Sequence, residues 1–233
     1  MSAKINVGGV ETFSTVDFPE HMTAVVFLQG CPWRCPFCHN TSLQPIDTQT
    51  DFVWEKFLGF LERRKGILDA VVFSGGEPLV QNGLEAALDD VIALGYKTGL
   101  HTGGYRPEAL LRVLPKLNWV GLDIKAPLTE SAYHKATGGY DKVENIRQSL
   151  NALLASGIDF ECRTTCDPRI LDIEDIYAIA DSLKEAGVKK YCLQRYRQVD
   201  GDTTPDSECE KFFTDKALES YLREKFPDFS FRS

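Results

Sequence analysis

Short apolar segments alternate with helical patterns along most of this 233-residue chain. The first segment, AVVFLQ at 24–29, is short, continuous and rich in β-branched residues, which is typical of a strand buried on both faces. Similar segments follow at 70–73, 98–102, 119–124, 159–165 and 190–194. Strands that alternate with helices pair in parallel through right-handed crossovers. The pattern predicts an α/β fold with six parallel strands, as an open doubly wound sheet or as a barrel or part-barrel.

Amphipathic patterns between these strands predict the helices. Asp51 is expected to cap the first helix, and glycines suited to a helix C-terminus follow several others. The predicted helices lie at 52–61, 84–94, 107–114, 143–155, 173–186 and 211–225. We expect 126–140 to form a loop or a short helical insertion.

The organisation of the chain predicts a single domain over residues 1–233. Residues 1–22 are expected to be a lead-in, and 198–233 a loop, the final helix and a tail. There is no linker rich in Pro, Gly or Ser, no repeat and no low-complexity tract in the sequence. One domain is therefore the simplest interpretation.

Charge and composition exclude several classes of protein. The formal net charge of −8 argues against a general affinity for nucleic acid, which requires a basic face. No apolar segment approaches the roughly 20 residues of a membrane helix, and the first residues lack the pattern of a secretory signal. We expect a cytoplasmic protein that binds no membrane. In that compartment the seven cysteines are predicted to be free thiols or metal ligands.

Three of the seven cysteines lie in the segment CPWRCPFCHN at 31–40, directly after the first predicted strand. Three close thiols on a loop are suited to hold a metal centre. A structural zinc site requires four ligands, so it would need His39 or one of Cys162, Cys166 and Cys192 as well. A [4Fe–4S] cluster held by three thiolates leaves one iron free for another ligand. The spacing favours iron–sulfur, with zinc and unliganded thiols as alternatives.

A second motif, GGEP at 75–78, follows the second predicted strand. Its two glycines would let the backbone approach a ligand closely, although a tight turn before a helix is the simpler explanation of the segment alone. Polar residues also end the later strands, at 101–103, 123–125 and 163. Ligands of parallel α/β folds bind at the carboxyl ends of the strands. We therefore expect the site at that end.

These motifs resemble those of a superfamily and of one family within it. The spacing Cys-x3-Cys-x2-Cys, with Phe37 before the third cysteine, resembles the signature of the radical S-adenosylmethionine superfamily, and GGEP resembles that superfamily's second motif. The segments STVDFP at 14–19, VVFLQGCP at 25–32 and CHN at 38–40 resemble glycyl-radical-enzyme activating enzymes. Among these, the likeness is nearest to activating proteins of anaerobic ribonucleoside-triphosphate reductase, followed by pyruvate formate-lyase activases.

The resemblance implies a partial (β/α)6 TIM-like barrel and a radical oxidoreductase. Cys31, Cys35 and Cys38 would hold a [4Fe–4S] cluster, and its fourth iron would be chelated by the amino and carboxylate groups of S-adenosylmethionine. Reductive cleavage of this cofactor yields a 5′-deoxyadenosyl radical, which abstracts a hydrogen atom. The product would be a glycyl radical on a partner enzyme, most closely the anaerobic ribonucleotide reductase. Flavodoxin or ferredoxin would donate the electron.

The resemblance also implies residues that bind the cofactor. Phe37 would pack against the adenine, and Glu77 would accept a hydrogen bond from the methionine ammonium. The other expected cofactor-binding residues are Gly75, Gly76, Thr102, Asp123, Lys125 and Arg163. Lys125 and Arg163 are the candidates for a more direct catalytic role, although Arg163 could equally form an internal salt bridge. His101 stands where the lyase activases have an acidic residue, which puts their cation site in doubt here.

Other functions stay open from the sequence. One is a pyruvate formate-lyase-type activase, and another is a radical enzyme acting on a small molecule, such as one resembling 7-carboxy-7-deazaguanine synthase. A third is a non-catalytic, zinc-stabilised α/β binding module. Cys162 and Cys166 are expected to be buried apolar thiols. The basic run at 63–65 is expected to be a solvated helix end, or a contact for an acidic redox protein.

Overall fold

Eight strands form one sheet in the computed structural model, which describes residues 4–232. The strands are β1 (Val7–Ser14), β2 (Thr23–Leu28), β3 (Ala70–Gly75), β4 (Lys97–Thr102), β5 (Trp119–Asp123), β6 (Asp159–Cys166), β7 (Lys190–Arg195) and β8 (Asp228–Arg232). They neighbour one another in chain order. The β1–β2 pair is antiparallel, and every later pair is parallel. The six predicted strands are β2 to β7, which confirms the α/β part-barrel.

Helices connect the parallel strands and cover one face of the sheet. They are α1 (Trp54–Glu62), α2 (Leu84–Ala93), α3 (Pro107–Val113), α4 (Glu130–Thr137), α5 (Val143–Ser156), α6 (Ile173–Ala186), α7 (Asp206–Thr214) and α8 (Lys216–Lys225). Left-handed glycines end α5 and α6 as predicted, with φ of 74° at Gly157 and 96° at Gly187. No helix within residues 4–232 is long and apolar enough to cross a membrane.

The predictions for the two ends of the chain were incomplete. The expected lead-in contains β1, and the expected tail contains β8. Both are edge strands with few buried side chains, so neither carries the apolar pattern of a central strand. The predicted helix at 211–225 is two helices, because Asp215 breaks it and its side chain caps α8. Helix α1 begins after Val53, so Asp51 is not its cap.

The face of the sheet opposite the helices has its own small core. Phe18, in the segment between β1 and β2, packs there against Val25, Val72 and Trp119. The ring centroids of Phe18 and Trp119 lie 5.5 Å apart. This segment therefore fills part of the space enclosed by the curved sheet. The rest of that space, towards the carboxyl ends of the strands, is lined by polar side chains.

Candidate active site

A cavity of about 250 Å³ lies at the carboxyl ends of the central strands. It brings together every residue that the sequence predicted for the site: Cys31, Cys35, Phe37, Cys38, Gly75, Gly76, Glu77, Thr102, Asp123, Lys125 and Arg163. These residues come from the loop after β2 and from the ends of β3, β4, β5 and β6. Parallel pairing places these ends side by side, so residues far apart in sequence share one cavity. Their roles towards a cofactor stay predictions.

The cysteine loop, residues 31–38, is held at both ends by backbone hydrogen bonds. The amide of Cys31 donates to the carbonyl of Gln44 (3.0 Å), and the amide of Cys38 donates to the carbonyl of Cys35 (3.1 Å). The second bond closes a turn with Pro36 and Phe37 at its centre, which suits proline. The amide of Gln29, before the loop, instead donates to the carbonyl of Asn6 (2.9 Å), the residue that precedes β1.

The side chain of Gln29 anchors the base of the cysteine loop, a role that the sequence analysis did not assign. Its Nε2 donates to the carbonyls of Ser42 (3.2 Å) and Pro45 (2.8 Å), and the residue is buried. The segment after the loop is thereby fixed against the end of β2. The only sequence signal for this role was the position of Gln29 within VVFLQGCP.

The cysteine loop presents three thiols to the cavity, those of Cys31, Cys35 and Cys38. Three thiols fit a [4Fe–4S] cluster that leaves one iron open, whereas a structural zinc site requires a fourth ligand. Burial raises the pKa of Cys31 to about 12 and also raises that of Cys35. Burial thus disfavours the thiolate form of both, which a bound metal would favour.

Gly75 and Gly76 join β3 to the base of the cysteine loop. A Cβ on Gly75 would lie 2.2 Å from the amide nitrogen of Leu28, and one on Gly76 would lie 2.2 Å from the carbonyl oxygen of Gly30. Gly75 also has φ of 112°, in the left-handed region. The amide of Gly76 donates to Leu28 and that of Glu77 to Gly30, both at 2.9 Å. The close approach seen here is to the protein's own backbone.

Glu77 is buried and accepts hydrogen bonds from three groups. Its Oε1 accepts from Thr102 Oγ1 (2.5 Å) and the amide of Leu79 (3.1 Å), and its Oε2 accepts from the amide of Gly103 (2.9 Å). Burial raises the pKa of Glu77, while these three bonds act in the opposite direction. Since a carboxylate offers about four acceptor positions, Glu77 retains capacity for one more donor. It joins the ends of β3 and β4 and could still receive an ammonium group.

Asp123 and Arg163 form an ion pair on neighbouring strands. Asp123 Oδ1 lies 2.7 Å from Arg163 Nη2, and its Oδ2 lies 3.6 Å from Lys125 Nζ. Burial favours the neutral acid, but Arg163 and Lys125 outweigh it and hold the pKa of Asp123 below its usual value. Gly121 leaves room for the guanidinium, because a Cβ there would lie 2.7 Å from Arg163 Cζ. Arg163 thus forms the internal salt bridge and also lines the cavity.

Lys125 lies among aromatic rings and the thiols of the cysteine loop. Its Nζ is 5.1 Å from the ring centroid of Trp33 and 5.8 Å from that of Phe37, within reach of cation–π attraction. Burial alone would lower the pKa of Lys125, but Asp123 and the thiols of the cysteine loop raise it. The cavity therefore contains a stable positive charge beside the thiols. Trp33, whose packing was not predicted, is buried against Gly103.

Known proteins identify the family of this chain. The sequence model of the Radical SAM superfamily matches residues 25–166. A Methanocaldococcus jannaschii protein, provisionally named as a glycyl-radical enzyme activating enzyme, is 30% identical over 210 residues, which are 84% of this chain and 82% of the relative. The chain belongs to the glycyl-radical enzyme activating enzymes of the radical SAM superfamily. The pyruvate formate-lyase-activating enzyme of Clostridium pasteurianum is also 30% identical, over 83% of this chain and 82% of that enzyme.

The fold of this activating enzyme is also found in solved structures. The crystal structure of QueE from Escherichia coli superposes with a TM-score of 0.55 at 17% identity, over 100% of this chain and 92% of that one. At that identity the likeness shows the fold alone. Membership in the family implies a [4Fe–4S] cluster and S-adenosylmethionine as cofactors, and a glycyl radical enzyme as partner.

The remaining cysteines of the activating enzyme are buried and do not line its cavity. In the part of the chain that the structure describes, Cys162, Cys166, Cys192 and Cys209 are free thiols, and none of them lines the cavity. Burial raises the pKa of all four, as expected of apolar thiols. The possibility of a fourth thiol ligand from β6 or β7 therefore has no structural support.

His101 connects the cavity to the STVDFP motif. Its Nε2 lies 2.8 Å from the carbonyl oxygen of Asp17, so this nitrogen carries the proton and donates. The ring meets Trp119 edge-on with centroids 5.4 Å apart. Burial, together with the charge of Arg163, lowers the pKa of His101 to about 3. The imidazole is neutral at physiological pH and anchors the segment before β2.

We expect His101 to make folding stability dependent on pH. The unfolded side chain titrates near 6.5 and the folded one near 3, so the unfolded state binds more protons between these values. Stability is complete above pH 6.5 and falls as the pH drops through this window, by at most about 1.4 kcal/mol per unit. Urea unfolding of the wild type and of His101→Gln between about pH 4.5 and 7 measures the contribution of His101 to this pH dependence. If the free energy of unfolding changed equally with pH in the two proteins, this expectation would be contradicted.

Proposed function

We propose that this activating enzyme generates the glycyl radical of an anaerobic ribonucleoside-triphosphate reductase. Hydrogen abstraction from a backbone glycine of that partner would be the reaction. The convergence of all the predicted site residues on one cavity is the observation that supports a cofactor site here. The choice of reductase rests on the motifs at 14–19, 25–32 and 38–40, which resemble activating proteins of that enzyme.

In this proposal, Cys31, Cys35 and Cys38 hold the cluster, and Glu77 is one of the groups that hold S-adenosylmethionine. When bound, these cofactors supply the electron transfer and the radical chemistry. Glu77 has one acceptor position for the methionine ammonium, in a charge-assisted bond. The Arg163 guanidinium and the Lys125 ammonium offer positive charge to the carboxylate or hydroxyl groups of the cofactor.

The open sheet offers a route for a polypeptide. Among residues 4–232, β1 and β8 are the two edges of the sheet and do not pair with each other. The part-barrel is therefore open along one side, beside a cavity that lies at the strand ends. A loop of the partner enzyme that carries the glycine can approach through this opening, whereas a closed barrel would prevent it.

The basic run at 63–65 is poorly placed to receive the electron donor. It follows α1, and the amide of Leu68 donates to the carbonyl of Arg64 just before β3 begins. The run thus lies near the amino ends of the strands, while the cysteine loop lies at the carboxyl ends. The six-residue strand β3 spans about 20 Å between them. A flavodoxin or ferredoxin is expected to dock at the carboxyl end instead.

Electron paramagnetic resonance tests the proposed partner. We expect a glycyl doublet when the reconstituted, reduced enzyme is mixed with S-adenosylmethionine and anaerobic ribonucleoside-triphosphate reductase, and none with the Cys35→Ala variant. A parallel mixture contains pyruvate formate-lyase, because an activating enzyme of that lyase is a relative. A doublet on the lyase alone would identify the lyase, and not the reductase, as the partner. No doublet on either enzyme, with turnover of a small substrate, would reject the activase function.

A further inference from the structure

The turn that carries two of the three cysteines has a charged side chain behind it. Cys35 and Cys38 occupy the first and last positions of this turn, with Pro36 and Phe37 at its centre. Arg169 Nη2 donates to the carbonyl of Pro36 (3.3 Å). Arg169 follows β6, so it is remote from the cysteine loop in sequence. Neither the motifs nor the cavity lining assigns it a role.

The guanidinium of Arg169 is fixed by groups from two further loops. It binds Asp167 through Nε (3.0 Å) and Nη2 (2.7 Å), and Nη1 lies 3.1 Å from Asp202 Oδ2. Nη2 also lies 2.7 Å from the hydroxyl of Tyr196, so its two hydrogens are shared among Pro36, Asp167 and Tyr196. The ring centroid of Tyr196 is 4.7 Å from Cζ. Asp167 is fully buried, so its charge holds the arginine firmly. The loops after β2, β6 and β7 thus meet at one side chain.

Tyr196 contacts the other central residue of the turn. It belongs to a small apolar cluster with Phe37 and Cys209, and Cys35 packs against that cluster. Its hydroxyl donates to Asp202, which also accepts from the amide of Thr204 (2.9 Å). Arg169 therefore holds the peptide of Pro36 while Tyr196 holds the ring of Phe37. Together they determine how the turn presents the thiols of Cys35 and Cys38.

We propose that Arg169 is a positioning residue for the metal centre, which fixes the turn between the second and third cysteine ligands. This inference rests on the proposed cluster site. Lysine cannot replace arginine here, because only the planar fork of guanidinium donors reaches several acceptors at once. Groups that orient metal ligands typically contribute about 10-fold to 100-fold in metal affinity or activity.

The test compares Arg169→Lys with wild type after cluster reconstitution. The variant keeps a positive charge beside the two carboxylates, so it is designed to fold. We expect iron release to a chelator to be about 10-fold faster, with a changed electron paramagnetic resonance spectrum of the reduced cluster. Deuterium exchange of the peptide covering residues 31–44 should also be faster. Arg223→Lys is the matched control, since this exposed arginine pairs with Glu219 on α8.

Each result decides the proposal. Iron release, spectrum and exchange equal to wild type in Arg169→Lys would overturn the positioning role. The same changes in Arg223→Lys would overturn it too, because they would not be specific to the turn. If the wild type takes up no iron, the cluster site itself fails. Deuterium exchange of residues 31–44 then still tests whether Arg169 holds the turn.

Discussion

Cys35→Ala is expected to abolish reductive cleavage of S-adenosylmethionine. Cys35 lines the cavity together with Cys31 and Cys38, and burial raises the pKa of its thiol. Removing it leaves two thiols for the cluster. The loss of activity should exceed the roughly 100-fold that outer groups of a metal site contribute, since a ligand itself is removed. Iron and sulfide content and the yield of 5′-deoxyadenosine under anaerobic conditions measure the effect.

Cys166→Ala is the matched control for this substitution. Cys166 is a buried free thiol that belongs to the main apolar core and does not line the cavity. We expect a modest loss of stability from the small cavity, with iron content and cleavage unchanged. Cleavage at the wild-type level by Cys35→Ala would refute the ligand assignment. Equal loss in both variants would indicate a general effect of removing buried thiols.

Gly76→Ala is expected to separate β3 from the cysteine loop. The new Cβ would lie 2.2 Å from the carbonyl oxygen of Gly30, and both partners are backbone, so neither can turn aside. The bonds from Gly76 to Leu28 and from Glu77 to Gly30 would lengthen or break. We expect a loss of about 3 kcal/mol in the free energy of unfolding, at the upper end for overpacking, together with loss of bound iron. Urea unfolding and metal analysis measure the two effects.

Gly9→Ala provides the comparison within the same sheet. Gly9 pairs with Phe27 across the β1–β2 ladder, and no heavy atom lies within 4 Å of the Cβ that alanine would add there. We expect its stability to stay within about 0.5 kcal/mol of wild type, as for other uncrowded sites. A Gly76→Ala protein that is as stable as Gly9→Ala and has full iron content would show that the contact between Gly76 and Gly30 tolerates a side chain.

The central strands and the location of the site were predictable because both depend on local patterns. A strand and the helix after it are each indicated by residues that are neighbours in the sequence. Parallel pairing then places the carboxyl ends of the strands together. This is why Cys31, Glu77, Asp123 and Arg163 could be assigned to one site before any coordinates were considered. The edge strands β1 and β8 were missed because few of their side chains are buried.

The contacts between loops could not be predicted from local patterns. Nothing in the GGEP motif indicated that its two glycines also lie against the backbone of Leu28 and Gly30. The bond from Arg169 to Pro36 joins residues 133 positions apart, and nothing in either segment indicates the other. Such pairs exist only once the sheet has brought the loops after different strands together.

The sequence by itself determined the fold class, the three thiols and the family, because spacing, periodicity and motifs are properties of neighbouring residues. Only the tertiary structure decided what surrounds those thiols. It showed the partly buried Lys125 beside them, the contact of Gly75 and Gly76 with the end of β2, and the Arg169 network behind their turn. The physical reason is that burial, charge pairing and close approach depend on distances in space, which are set by the register of the strands.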